Sequence, residues 1–372
     1  MVPALPACGA TWHEQQNLNK DPRGETIVKS RIRTASARRR VKFGLLAVTA
    51  LAGLSFGAIA APPAKADSGK ILIGLVTKTD TNPYFVKLRQ SAVAEAKKDG
   101  ATLIARAGKF DGDNEGQVNA IEDLISLHVK GILVTPSNST GILKAIGEAR
   151  KQGILVIALD TATDPADAVD ATLATDNFQA GVKQGAYAHA LFDQKFGKAT
   201  PVHLAMLDDE PGATVDTERH NGYLKGFGIP QDSSDIVGKT ITHGALDQGQ
   251  TGMENLLVAH PDINVVYSIN EPAAEGAYAA IKDAGKTKQI ILTAIDGGCL
   301  GVKYVAEGKI AATVMQFPKK MAAEGVDDVV KYVKTGQKPS GFVNTGSMLI
   351  TDHPFPNLPS KNTQWGAKEC WG

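Results

Sequence analysis

From residue 70 onward, a short apolar run is followed repeatedly by a polar turn and a segment whose apolar residues recur at helical spacing. Ile71–Val76, Thr102–Arg106, Gly131–Thr135, Leu155–Leu159, Ala171–Ala174, Pro201–Leu207, Ile236–Thr242, Val265–Ile269, Ile290–Ile295 and Ala311–Met315 read as strands. Helical spacing marks Phe85–Asp99, Asn114–Leu127, Thr140–Gln152, Phe178–Phe192, Glu218–Phe227, Thr251–His260, Ala273–Ala284 and Lys319–Thr335. This alternation calls for parallel sheets covered by helices on both faces. Ten strands are many for one sheet. The pattern therefore predicts an α/β fold with two doubly wound parallel-sheet lobes joined by a multi-strand hinge. The break is expected near Thr175-Asp176, with the chain returning to the first lobe after Gln316. Residues 67–175 with 317–348 would form the N-terminal lobe, and 176–316 with 349–372 the C-terminal lobe.

Several strands end in polar residues: Asn82 after the first, then Asp160-Thr161, Asn270-Glu271, Asp296 and Gln316. Loops at the carboxyl ends of two facing sheets would line a cleft, which is where open α/β folds bind ligands. The first of these loops, Thr77 to Phe85, offers a cation at Lys78, an amide at Asn82 and two rings, Tyr84 and Phe85. Rings match the C–H faces of a sugar and polar groups match its hydroxyls, which suggests carbohydrate. A hydroxyl both donates and accepts, so ionised planar partners that bond two neighbours hold it best.

Charge separates the front of the chain from the rest. Of 40 Lys and Arg, ten fall in residues 1–66 against three of the 39 acidic residues, which leaves 30 basic and 36 acidic thereafter. That balance argues against nucleic acid as a partner. Arg38-Arg39-Arg40 with Lys42, the apolar stretch Phe43 to Ala60, and the small-residue sites Ala58-Ile59-Ala60 and Ala64-Lys65-Ala66 read as an export signal. Cleavage is expected after Ala66, with a membrane anchor as the alternative. The long polar stretch before Arg38 suggests that translation starts further downstream. Beyond residue 66 only Cys299 and Cys370 remain. In an oxidising compartment they are expected to form a disulfide tying the tail to the loop after Asp296, with two buried thiols as the alternative.

No catalytic motif stands out. The histidines lack metal spacing, and no Walker or GxSxG sequence occurs. Asp111-Gly112-Asp113-Asn114-Glu115-Gly116 with Glu122 imitates an EF-hand loop, but a strand precedes it, and helix capping explains the same letters. No cofactor is expected.

The motifs read in order resemble a known family. Lys78 with Asn82-Pro83-Tyr84-Phe85, Ala158-Leu159-Asp160, Thr175-Asp176-Asn177, Arg219 with Gly222-Tyr223, Asn270-Glu271, Asp296-Gly297 and Gln316-Phe317-Pro318 are similar to periplasmic sugar-binding proteins of ABC importers, in the ribose/allose/galactose-binding class. Thr77 to Pro83, Lys109 to Gln117, Ile269 to Ala274, Asp296 to Cys299 and Cys370-Trp371-Gly372 bring the chain nearest the fructose-binding members of rhizobial-type importers. The resemblance implies the type I periplasmic binding protein fold and a monomer that closes over a monosaccharide, fructose first. It implies no catalysis, a periplasmic location, ABC permease subunits in the inner membrane as partners, and a chemoreceptor as a possible second reader. It assigns the ligand to Lys78, Asn82, Tyr84, Phe85, Asp160, Arg219, Asn270, Asp296 and Gln316. The chain departs from the pattern at Leu246-Asp247-Gln248, where the class often carries an aromatic–Asp–Arg motif, and Asp208-Asp209 after Leu207 could supply a different polar wall.

Each assignment has a structural competitor. Asp160 and Asp296 could cap the helices that follow them, and Arg219 could form a surface ion pair. Lys78 could be a solvated charge, Asn270 a turn residue before Pro272, and Tyr84 and Phe85 both core rings, or one core and the other in contact with the sugar. A sugar-responsive repressor would need a helix-turn-helix where the export segment stands. A glycosidase would need opposed carboxylates, which Asp160 and Asp296 could mimic.

Overall fold

The structure is a computed structural model that describes residues 70–372, and the expected export signal lies outside the described residues. Two sheets organise the chain. The first holds β1 (Leu72–Thr77), β2 (Thr102–Ala107), β3 (Gly131–Val134), β4 (Leu155–Leu159), β5 (Ala171–Ala174) and β11 (Gly341–Asn344), in the order β11-β5-β4-β3-β1-β2. The second holds β6 (Leu204–Asp208), β7 (Ile236–Ile241), β8 (Val265–Ser268), β9 (Ile291–Asp296), β10 (Ala312–Met315), β12 (Met348–Ile350) and β13 (Ser360–Lys361), in the order β13-β12-β10-β9-β8-β6-β7. Pairing is parallel except between β10 and β12.

Both faces of each sheet are covered. In the first, Ile73 and Leu75 pack under α1 (Pro83–Lys98) and α9 (Pro318–Thr335), while Val76, Ile132 and Val134 pack under α2 (Asn114–Ser126) and α3 (Leu143–Lys151). In the second, α4 (Asn177–Phe196) and α5 (Thr214–Phe227) cover one face. The other face lies under α6 (Leu246–Ala259), α7 (Glu271–Asp283) and α8 (Cys299–Ala306). Burial on both faces is why the strands read as continuous apolar runs. Each fully buried Val, Leu or Ile contributes about 1.5–3 kcal/mol.

The chain passes between the sheets three times: at Thr175-Asp176 after β5, at Gln316-Phe317 after β10, and at Thr345 to Ser347 between β11 and β12. These crossings touch one another, with the Thr345 amide donating to the Ala174 carbonyl at 2.8 Å. Among the described residues, no helix is long and apolar enough to cross a membrane.

Five elements are too short or too exposed to stand out in the sequence. β11 is exposed throughout, β12 and β13 are short, and α8 and α10 (Thr363–Glu369) span eight and seven residues. Cys299 and Cys370 are joined by a disulfide.

Candidate functional site

The loops at the carboxyl ends of both sheets meet in a narrow chamber. All nine residues assigned by the resemblance line it, joined by Asp111 and Asp209. Helix geometry sets several of them. Asn82 caps α1, its Oδ1 accepting from the Tyr84 amide at 2.9 Å, and Pro83 takes the first helical position where no donor is needed. Asn270 caps α7 in the same way, accepting from the Ala273 amide at 3.0 Å, and its Nδ2 donates to the Gly244 carbonyl at 3.0 Å. The structural role of Asn270 is that of a helix cap rather than the turn residue foreseen, and it coexists with a place in the chamber wall.

Arg219 is delivered by an unusually close helix pair. A Cβ added at Gly185 of α4 would lie 2.0 Å from the Tyr223 carbonyl oxygen, and one at Gly222 of α5 would lie 2.2 Å from that of Phe178. Only glycine permits that approach. It brings the Arg219 Nε to 2.8 Å from the Asn177 Oδ1, while Nη1 donates to the Ile269 carbonyl at 3.1 Å. The remaining nitrogen, Nη2, lies 3.9 Å from Asp160 Oδ1 on the opposite wall. Arg219 is buried, so the surface ion pair is excluded.

Lys78 is also buried, with 1% of its surface exposed. Its Nζ bonds Asp209 at 2.8 Å and lies 3.2 Å from Asp111. Burial opposes its charge, yet the two carboxylates outweigh burial and raise its pKa. One ammonium cannot satisfy two carboxylates fully. Burial, then repulsion from Asp209, pushes Asp111 well above the usual carboxylate range.

Asp160 and Asp296 both sit in the positive-φ region, at 65° and 153°. Non-glycine residues seldom adopt it, and such strain often marks functional sites. Positive φ does not identify a site alone, since His128 at a helix end shares it. Asp160 caps no helix; its Oδ2 accepts from the Thr161 hydroxyl at 3.2 Å. Asp296 partly serves α7, accepting from the Glu271 amide at 3.3 Å, and also accepts from Gln316 Nε2 at 2.9 Å. Burial raises the Asp296 pKa to about 7, opposed by Arg219, and raises that of Glu271 to about 8, with Asp296 adding to it.

Tyr84 and Phe85 are both core rings and both chamber walls, meeting edge to face with centroids 5.4 Å apart. The reading of both as core rings holds, and both also face the chamber. Several buried acceptors have no hydrogen-bond partner: Asp160 Oδ1, Asp209 Oδ1 and Gln316 Oε1. Buried polar atoms are normally paired, so this chamber suits a ligand rich in hydroxyl donors.

The lobes meet beyond the chamber as well. The Ser139 amide donates to the Gly212 carbonyl at 2.9 Å, and Thr214 Oγ1 donates to the Ala162 carbonyl at 2.9 Å. A larger cavity of about 760 Å³ adjoins the chamber, sharing Asn82, Tyr84, Asp111 and Asp296 with it and walled by Phe110, Leu246 and Leu300. Leu246 begins α6 and faces this outer cavity, not the chamber.

Asp111 lies outside the residues that the sequence singles out for the ligand, and Asp209 stands only as a second polar wall beside the nine assigned. Asp111 belongs to the EF-hand-like stretch, where Asp113 is the helix cap, accepting from the Gly116 amide at 2.9 Å. Asp209 follows β6 as the other strand-end residues follow their strands.

Residues 73–338 match the family described as periplasmic binding protein domain. The ribose import binding protein of Bacillus subtilis is 33% identical over 274 residues, covering 73% of this chain and 85% of its own. The D-allose-binding periplasmic protein of Escherichia coli is 26% identical, covering 74% and 91%. Among solved structures, an ABC transporter solute-binding protein of Actinobacillus succinogenes with bound D-allose has a TM-score of 0.67 at 29% identity, covering 76% of this chain and 98% of its own. One from Agrobacterium vitis with bound D-fucose has a TM-score of 0.70 at 26% identity, covering 81% and 100%. These relatives are binding proteins of transporters, not enzymes. The two-sheet fold, the matched span and the shared identity together establish that this chain belongs to the periplasmic binding protein family.

Proposed function

We propose that this protein is the substrate-binding component of an ABC sugar importer, taking a monosaccharide between its lobes in the periplasm and presenting it as a monomer to the membrane permease. The observation that carries the proposal is the closed chamber, where buried Lys78, Arg219, Asp160, Asp209 and Asp296 surround acceptors lacking partners. A neutral polyol supplies donors to those acceptors and adds no charge to a buried site. The two rings give it one apolar wall. Closure holds the ligand by rotation of one lobe against the other, and the permease reads the closed form.

Fructose is the sugar we favour, on the likeness of the Thr77–Pro83 and Asp296–Cys299 segments to fructose-binding members of the class. Ribose or allose is the second reading, supported by what the relatives bind by name. Leu246 supplies no ring to the chamber, so a pentose would lack stacking from that wall. Calorimetry against fructose, ribose, allose, galactose, xylose and myo-inositol tests both. Heat with fructose is expected; heat only with another member replaces the sugar and keeps the class, and a flat trace with all six ends the reading.

A further inference from the structure

We infer that the disulfide-anchored tail belongs to the binding apparatus, with Trp371 as a positioning residue for the chamber. The inference rests on the functional reading above. The tail is fixed to the second lobe twice: Cys370 is bonded to Cys299 at the start of α8, and Trp371 pairs with Gly298 as an isolated bridge, its carbonyl accepting from the Cys299 amide at 2.9 Å. The Trp371 indole is 6% exposed, meets the core ring Tyr84 of the first lobe edge to face at 5.4 Å, lies against Gly298 of the second and borders the outer cavity. Its Nε1 donates to the Gln316 carbonyl at 3.1 Å, on one of the crossings between the sheets.

One ring thus touches Tyr84 and Gln316, both chamber residues, and braces the loop that leaves Asp296. It is tethered to one lobe and packed against a ring of the other. Relative rotation of the lobes must move the indole across Tyr84, so Trp371 fixes where the Tyr84 ring rests when the cleft is shut. A disulfide over a sequence separation of 71 could act through stability alone. That would cost thermal midpoint and leave sugar affinity and the indole's surroundings unchanged.

The test uses the full chain with Trp12→Phe and Trp365→Phe, which leaves Trp371 as sole tryptophan. Addition of the sugar identified by calorimetry is expected to shift its emission. Trp371→Ala and Cys370→Ser are each expected to weaken binding about tenfold, the weight of one aromatic contact, while Trp371→Phe stays within about threefold. If Trp371→Ala does not fold, the sole-tryptophan spectrum and Trp371→Phe decide alone. An unchanged spectrum on binding, or unchanged affinity in Trp371→Ala with only a lower midpoint, overturns the inference. A parent chain that binds none of the sugars overturns the functional reading and this one with it.

Discussion

The two walls of the chamber are built differently. The first lobe contributes rings and charge together: Tyr84 and Phe85 beside Lys78, Asp111 and Asp160. The second contributes Arg219, Asp209, Asn270 and Asp296 without a ring, and Leu246 faces the outer cavity instead. Each cation nevertheless faces a carboxylate across the gap. Lys78 on one side meets Asp209 on the other, and Arg219 answers Asp160. The difference teaches that shape selection lies on one wall while electrostatic closure needs both.

Breaking the cross-gap charges should have the largest effect. Arg219→Ala leaves Asp160 and Asp296 without their cation, and sugar affinity by calorimetry should fall on the order of 100-fold or more. Lys78→Ala should cost about 10- to 100-fold, because Asp111 and Asp209 then repel each other in a buried site. Survival of either affinity would show that the charges serve the fold only. The asymmetry of the rings is tested next. Tyr84→Ala should lose about tenfold, whereas Leu246→Ala should stay within about twofold; equal losses would erase the distinction between the walls.

The smallest effect concerns pH. Asp296 titrates near 7 in the fold, above its ordinary 3.8, because burial disfavours its charge. A carboxyl that holds its proton more tightly when folded stabilises below its ordinary value and loses that contribution as pH rises through about 7. The ligand-free thermal midpoint should therefore fall between pH 5 and pH 8, and Asp296→Asn should flatten the fall. An identical slope in the variant would remove Asp296 as its source.

Most of the scaffold was legible because its strands are buried on both faces. Ile71–Val76 and most of its counterparts stand out as apolar runs, the edge strands β2 and β7 less so, and each recurs as a strand within two or three residues of its expected bounds. β11 did not stand out because its four residues are all exposed. Site residues were legible where they end strands, as with Asp160 and Asp296. Asp111 was hidden because its neighbour Asp113 accounts for the acidic cluster as a helix cap, and spacing does not say which carboxylate turns inward. Lys78 could not be told from a surface lysine until its two carboxylate partners were placed in space.

The three chain crossings at Thr175-Asp176, Gln316-Phe317 and Thr345 to Ser347 have a mechanical consequence. A single tether would leave the two bodies free to swivel and slide. Three side-by-side tethers suppress sliding and twisting, so what remains is close to a single angle. A molecule with one soft coordinate can report only one scalar to whatever docks on it. Any sugar that holds that angle shut should look the same from outside, and discrimination among sugars must be complete before docking begins.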